Sequence, residues 1–124
     1  MRNKQKTPAE QLSEFLNFVE QSYTDYQIAS EALKEEDRRL QDLLHEMEFA
    51  ADKAERNRVA TRLQKSRRER RKNKDTVKLN EQVVRFFEEK PHRDTLNKMK
   101  QLLGRQRKEE EYLFGERVYK QKAK

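Results

Sequence analysis

No proline or glycine interrupts the chain between Ala9 and Lys90, and this absence restricts the fold more than any other feature of the sequence. The chain's only prolines and glycines lie outside that stretch, at Pro8, Pro91, Gly104 and Gly115. The stretch is rich in Glu, Lys, Arg, Gln, Leu and Ala, which are good helix formers. It therefore predicts long helices and an all-α fold.

Apolar residues recur through the first half of the chain with spacings that alternate between three and four. The series consists of Leu12, Leu16, Val19, Tyr23, Tyr26, Ser30, Leu33, Asp37, Leu40, Leu44, Met47, Ala51 and Ala54. Ser30 and Asp37 are its only polar members. Because a heptad repeat turns one face of a helix towards a partner helix, the series predicts a coiled-coil helix.

Two capping motifs predict where helices begin. Thr7 and Glu10 flank Pro8, which places Thr at the N-cap, Pro at the first helical position and Glu at the third. Asp52 and Glu55 form a second capping box. We therefore predict a helical hairpin that turns near residues 50–52. The alternative is one continuous rod, since no residue between Phe49 and Glu55 forbids helix.

The second helix is predicted from about Lys53 to Glu89. The residues of a helix that are expected to face its partner helix are called its seam here. The seam of the second helix consists of Val59, Leu63, Ser66, Arg70, Asn73, Val77, Asn80, Val84 and Phe87. Pro91 breaks this helix, and Asp94 is predicted to cap a third one, which ends at Gly104 or continues to Tyr119. Residues 112–119 could instead fray or pair as a short strand.

This organisation predicts one long antiparallel helical hairpin with a shorter third helix. The domain boundaries that follow are a flexible tail at residues 1–7, a single helical domain at 8–119 and a basic tail at 120–124. Within the domain, the helices are expected at about 8–50, 53–89 and 94–119.

Composition sets limits on stability and location. Of the 124 residues, 43% are charged and 32% hydrophobic, against about 25% and 45–50% in an ordinary globular chain. A thick core is not available, so we expect the hairpin to self-associate as a homo-oligomer. There is no cysteine to build a disulfide framework or a thiolate zinc site. Apolar runs reach only two or three residues, which predicts a cytoplasmic protein without a membrane partner.

Charge is unevenly distributed along the chain. The segment from residue 62 to residue 78 carries nine cations: Arg62, Lys65, Arg67, Arg68, Arg70, Arg71, Lys72, Lys74 and Lys78. With its two acids, Glu69 and Asp75, its net charge is +7, which equals that of the whole chain. Residues 31–48 contain seven acids and three bases, a net charge of −4.

Two interpretations of the basic segment stay open. It could neutralise the phosphates of a nucleic acid or of a nucleoprotein complex. It could also pair with the acidic stretch, because folding back near Ala51 would place residue 36 opposite residue 66. Helical spacing predicts that one group of cations lies nearer the first helix and a second group is free to meet phosphate. The first group is Arg67, Arg70, Arg71 and Lys74, and the second is Arg62, Lys65, Arg68 and Lys72.

Residues 57–68 are similar to the basic region of basic-leucine-zipper transcription factors, which begins with an asparagine that Asn57 matches. Val59, Leu63 and Gln64 depart from that family's pattern, and no leucine zipper follows. A DNA-binding transcription regulator is therefore kept only as an alternative, without support for sequence-specific reading of the major groove.

The sequence contains no recognisable set of catalytic residues. The only histidines are His45 and His92, and one Asp-x-x-His motif does not make the paired Glu-x-x-His arrangement of a two-metal bundle. Without a nucleophile–base set or a glycine-rich phosphate cradle, we predict a non-enzyme with no cofactor, no metal and no small-molecule substrate. Phe18 and Phe86 lie off the predicted seams. They are candidate partner anchors, or the aromatic clusters containing them meet at the open end of the hairpin.

Three segments resemble small helical proteins encoded by phages and prophages of Gram-positive bacteria. They are residues 42–48 (DLLHEME), 67–75 (RRERRKNKD) and 103–109 (LGRQRKE), followed by Arg117, Val118 and Tyr119. The resemblance implies a phage accessory protein in the host cytoplasm and assigns no functional residue. With the basic segment, it leads us to expect a protein that modulates or inhibits a host nucleic-acid-handling complex. A structural or scaffolding coiled coil is the other class.

Overall fold

A computed structural model describes residues 5–116 and contains three helices. Helix α1 spans Pro8–Glu48, α2 spans Lys53–Glu88 and α3 spans Lys90–Phe114. No strand occurs among these residues. This confirms an all-α fold in which a long helical hairpin precedes a shorter third helix. The predicted basic tail at 120–124, the end of the predicted third helix at 117–119 and the first four residues lie outside the described part of the chain.

The turn between α1 and α2 lies where the capping motif predicts it. The Asp52 side chain accepts a hydrogen bond from the Glu55 backbone N–H at 2.8 Å, and the Glu55 carboxylate accepts one from the Ala51 N–H at 3.1 Å. These two bonds satisfy backbone donors that have no partner within the helix. The hairpin prediction is confirmed, and the continuous rod is wrong.

Contacts divide the chain into two compact units. Among the described residues, the hairpin unit comprises residues 21–85, and the terminal unit comprises residues 5–20 and 86–116. The apolar centre of the hairpin unit lies near the turn, where Leu43, Val59 and Leu63 are buried together and Leu40 and Met47 pack against them. This small cluster accords with the low apolar content of the chain.

The seam of α2 is confirmed, whereas that of α1 is confirmed only in part. Leu40 and Met47 pack on the apolar cluster as predicted, but the second line of the α1 seam is displaced by one residue. Val59, Leu63, Ser66 and Val84 of α2 are buried, as predicted. In α1, however, the buried positions of the hairpin unit recur every seven residues one place earlier than expected. They are Ser22, Ala29, Glu36 and Leu43 rather than Tyr23, Ser30, Asp37 and Leu44. Two of the four buried side chains, those of Ser22 and Ala29, are small, and small side chains let two helices approach closely.

The terminal unit holds the start of α1 against α3. The Thr7 hydroxyl accepts a hydrogen bond from the Glu10 N–H at 3.2 Å, which confirms Thr7 as the N-cap. Glu110 of α3 then accepts a bond from the Ala9 N–H at 2.8 Å and another from the Gln106 side chain at 2.9 Å. The Thr7 hydroxyl bonded to Glu110 lowers the pKa of that carboxyl, and the bonds from Gln106 and Ala9 act in the same direction.

Helix α3 begins four residues earlier than predicted. Only Glu89, whose backbone is extended, separates it from α2, and Pro91 lies within its first turn. Proline is tolerated there because the N–H that it lacks would have no helical partner. The prediction that Asp94 caps α3 is therefore wrong, and His92 lies in the first turn of the helix.

The far end of α3 settles the alternatives left open for it. The helix does not end at Gly104 but continues to Phe114, and the Gly115 N–H donates to the Glu111 carbonyl at 3.0 Å. The predicted fraying or strand pairing of residues 112–119 is wrong for residues 112–114, which are helical, and residues 117–119 lie outside the described chain. None of the three helices carries an apolar stretch sufficient to cross a bilayer.

Candidate nucleic-acid interface

Opposite charges face each other across the hairpin unit, as the charge map predicts. Arg70 of α2 lies 2.8 Å from the Asp37 carboxylate of α1, and Arg62 lies 3.3 Å from that of Glu46. All four side chains are between 43% and 57% exposed. The placement of Arg70 towards the acids of α1 is confirmed. Arg62, which was predicted to be free for phosphate, instead pairs with α1, so that prediction is wrong.

A buried polar cluster fixes the level at which the two helices pair. The Ser66 hydroxyl donates to the Glu36 carboxylate at 2.9 Å, which confirms the predicted juxtaposition of residues 36 and 66. The other carboxylate oxygen of Glu36 lies 2.8 Å from the Arg39 guanidinium. Glu36 is 7% exposed and Ser66 4% exposed. The predicted seam contains Asp37 as its polar residue and does not include Glu36. Because the observed line lies one residue earlier, Glu36 is the acid that is buried.

A groove of about 370 Å³ runs beside this cluster, on the side of the hairpin unit that carries the Arg62–Glu46 pair. Its lining contains three bases and three acids, together with Leu43 and Ser66. These charged residues are Arg39, Asp42, Glu46, Arg62, Lys65 and Glu69. Because their charges balance, the groove itself does not attract an anion.

Seven cations of the basic segment lie outside these pairs. Each of the seven is exposed, and within the described chain none has a carboxylate within 4.0 Å: Lys65, Arg67, Arg68, Arg71, Lys72, Lys74 and Lys78. Arg67, Arg71 and Lys74, which are predicted to lie nearer α1, form no ion pair with its acids in the described chain. At about 100° per residue they flank the buried line of Val59, Leu63 and Ser66, and they lie closer to it than Lys65, Arg68 and Lys72 do.

The candidate partner anchors lie in the terminal unit. Phe18 is 52% exposed, with its ring centroid 6.2 Å from that of Phe15. Phe86 is 49% exposed and stacks on the His92 ring at 3.8 Å. Phe15 also meets Phe87 edge to face at 6.2 Å, which confirms that the aromatic residues at the start of α1 and the end of α2 come together.

Neither histidine is part of a metal-binding cluster in the described residues. His45 lies 4.0 Å from the Glu48 carboxylate and packs edge to face on Phe49, at 4.9 Å between ring centroids. His92 lies 3.0 Å from the Glu89 carboxylate. Over residues 5–116, no three side chains of the kinds that bind metals are grouped closely enough to hold an ion.

The surface with the most unpaired positive charge is therefore the side of α2 that faces away from α1, here called the outer α2 surface. Basic side chains extend there over about three helical turns, on a helix held in place by a buried hydrogen bond and two ion pairs to α1. Several cations at fixed spacing on one rigid element can neutralise several phosphates at once. No protein-family model, curated protein or solved structure matches this chain.

Proposed function

We propose that this protein is a non-enzymatic nucleic-acid-binding protein whose outer α2 surface contacts the phosphate backbone. The observation that supports this is the division of the basic segment into two ion-paired and seven unpaired cations. The two paired cations serve the hairpin. The other seven form no ion pair in the described chain, and a polyanion is the partner that their charge would attract.

The setting we propose is a phage accessory protein acting in the cytoplasm of a bacterial host. There it would modulate or inhibit a complex that handles nucleic acid, either by occupying the substrate of that complex or by binding next to it. The exposed aromatic rings of Phe18 and Phe86 are the candidate contacts to its protein components. A homo-oligomer would present several copies of the basic surface and strengthen binding.

A scaffolding coiled coil is the second candidate, and the ion pairs Arg62–Glu46 and Arg70–Asp37 favour it because they show charges that serve helix pairing. The two functions differ in what the unpaired cations do. A scaffold would tolerate their loss, whereas a nucleic-acid-binding protein would not. A transcription regulator would further require a preference for one DNA sequence.

The test is binding to random-sequence DNA and RNA, measured by fluorescence anisotropy at several salt concentrations. Arg68→Glu with Lys72→Glu should abolish binding and leave the circular dichroism spectrum unchanged, because neither residue has an ion pair in the hairpin unit. The control is Arg62→Gln with Arg70→Gln, which removes cations that do form pairs. It should lower the melting temperature and retain most of the binding. Unchanged binding and salt response in the Arg68/Lys72 variant would reject the proposal in favour of the scaffold.

A further inference from the structure

The unpaired cations of α2 form two parallel rows. The first basic row is spaced by four, three and four residues and consists of Arg67, Arg71, Lys74 and Lys78. The second basic row is spaced by three and four residues and consists of Lys65, Arg68 and Lys72. Such spacings return to nearly the same direction on a helix, so each row follows a line along the surface of α2.

The two rows lie on either side of the outer surface. At about 100° per residue, their mean directions differ by about 120° around the helix axis. On a helix about 10–12 Å in diameter, side chains included, that angle separates the rows by about 9–10 Å. The midline between them lies about 150° from the buried line of Val59, Leu63 and Ser66, at the same advance per residue. Because α1 packs on the buried line, the side chains of both rows are exposed in the hairpin unit, and Lys65 at the start of the second row also lines the groove beside Ser66.

Two lines of positive charge at this separation match a particular ligand geometry. The major groove of B-form DNA is about 12 Å wide, admits an α-helix and has a phosphate backbone along each wall. A single strand offers one backbone, and the major groove of A-form RNA is too narrow and deep for side chains to reach.

We propose that α2 of this protein lies in the major groove of duplex DNA, with the first basic row on the phosphates of one strand and the second basic row on those of the other. The proposal rests on the proposed function, which it narrows from nucleic acid in general to B-form duplex. Two side chains at the angle between the rows suit the floor of the groove, since Gln64 and Asp75 are exposed, polar and able to form hydrogen bonds with base edges or their water.

The experiment uses the full chain and four probes of one random sequence. They are a DNA duplex, one of its strands, the same duplex as RNA, and a DNA duplex in which a bulky group replaces the C5-methyl of thymine. That methyl group lies in the major groove, so the last probe blocks the groove and leaves the phosphates unchanged. The protein variants are two matched triple substitutions, Arg67→Gln/Arg71→Gln/Lys74→Gln in the first row and Lys65→Gln/Arg68→Gln/Lys72→Gln in the second.

The unmodified DNA duplex should bind more tightly than each of the other three probes. On that duplex, each triple variant should flatten the slope of log affinity against log salt by about 2.7, since three phosphate contacts are lost at about 0.9 each. Equal affinity for the blocked duplex or for the single strand would overturn the groove model. An unchanged salt slope on the unmodified duplex for either triple variant would overturn it as well. Those results would leave the proposed function in place, whereas no salt-dependent binding to any probe would reject both.

Discussion

Replacing Ser66 with alanine tests how α1 and α2 are held in register. The Ser66 hydroxyl is the hydrogen-bond donor to one oxygen of the Glu36 carboxylate, at 2.9 Å, and both residues are less than 10% exposed. Ser66→Ala leaves that oxygen buried without its donor. The methyl group itself fits, because alanine is smaller than serine and favours helix. The lost hydrogen bond is therefore the only large contribution to the change in the free energy of unfolding.

The expected cost follows from the charge and burial of the acceptor. A hydrogen bond to a charged group contributes about 1.5–3 kcal/mol, so we expect Ser66→Ala to lower the free energy of unfolding by that amount. Asp37→Asn is the matched control, since it weakens the neighbouring cross-helix pair with Arg70, in which both partners are about half exposed. An exposed pair of this kind contributes about 0.2–1 kcal/mol.

The assay is urea unfolding at pH 7, followed by circular dichroism at 222 nm, which reports helix. A third variant, Glu36→Leu with Ser66→Ala, replaces both polar groups and should recover most of the loss, because no buried carboxylate is left unsatisfied. If Ser66→Ala costs no more than Asp37→Asn, the buried hydrogen bond does not hold the register, and the offset seam of α1 has another cause.

Three further changes test other parts of the fold. Asp52→Ala removes the N-cap of α2, which accepts from the Glu55 N–H, and should cost about 1 kcal/mol in urea unfolding. Glu110 has a lowered pKa because the Thr7 hydroxyl bonds to its carboxylate, so its contribution is present above about pH 4.3 and is lost as the pH falls further. The melting temperature of Glu110→Gln should therefore lie below that of the native protein at pH 7, and the difference should shrink below pH 4. Ile28 of α1 is 63% exposed and lies away from the basic rows, so Ile28→Gln should remove an apolar contact between copies and shift light scattering towards the 15.1 kDa monomer.

The parts of the fold predicted from the sequence are those that local chemistry decides. Thr7 and Asp52 act as caps because a side-chain oxygen two or three residues from an unpaired N–H can bond to it whatever the rest of the chain does. The seam of α2 was also predictable. Val59 and Leu63 set one face at the start of the helix, and Ser66 and Val84 follow at heptad spacing from them.

The parts that were mispredicted depend on contacts between helices. In α1, Leu43 and Leu44 are adjacent and equally apolar, so periodicity alone could not decide which of them is buried. The choice follows from the close approach of α2 to small side chains such as that of Ala29, which carry a weaker hydrophobic signal than tyrosine or leucine. That one-residue offset also explains why Glu36 rather than Asp37 is buried. The hydrogen bond by which Glu110 caps α1 joins residues 101 apart in the chain, and no local sequence pattern predicts it.

The balance of charge within α2 argues against a purely structural role for its basic segment. Between residues 62 and 78, nine like-charged pairs lie three or four residues apart, against five opposite-charged pairs, an excess of four. At about 0.2–0.5 kcal/mol for each pair, this excess destabilises the helix by roughly 1–2 kcal/mol. The two ion pairs to α1 offset part of that cost, but they involve only Arg62 and Arg70. The net repulsion among the other seven cations is not offset by any ion pair to α1 within the described chain, and a bound phosphate backbone would relieve it along both rows.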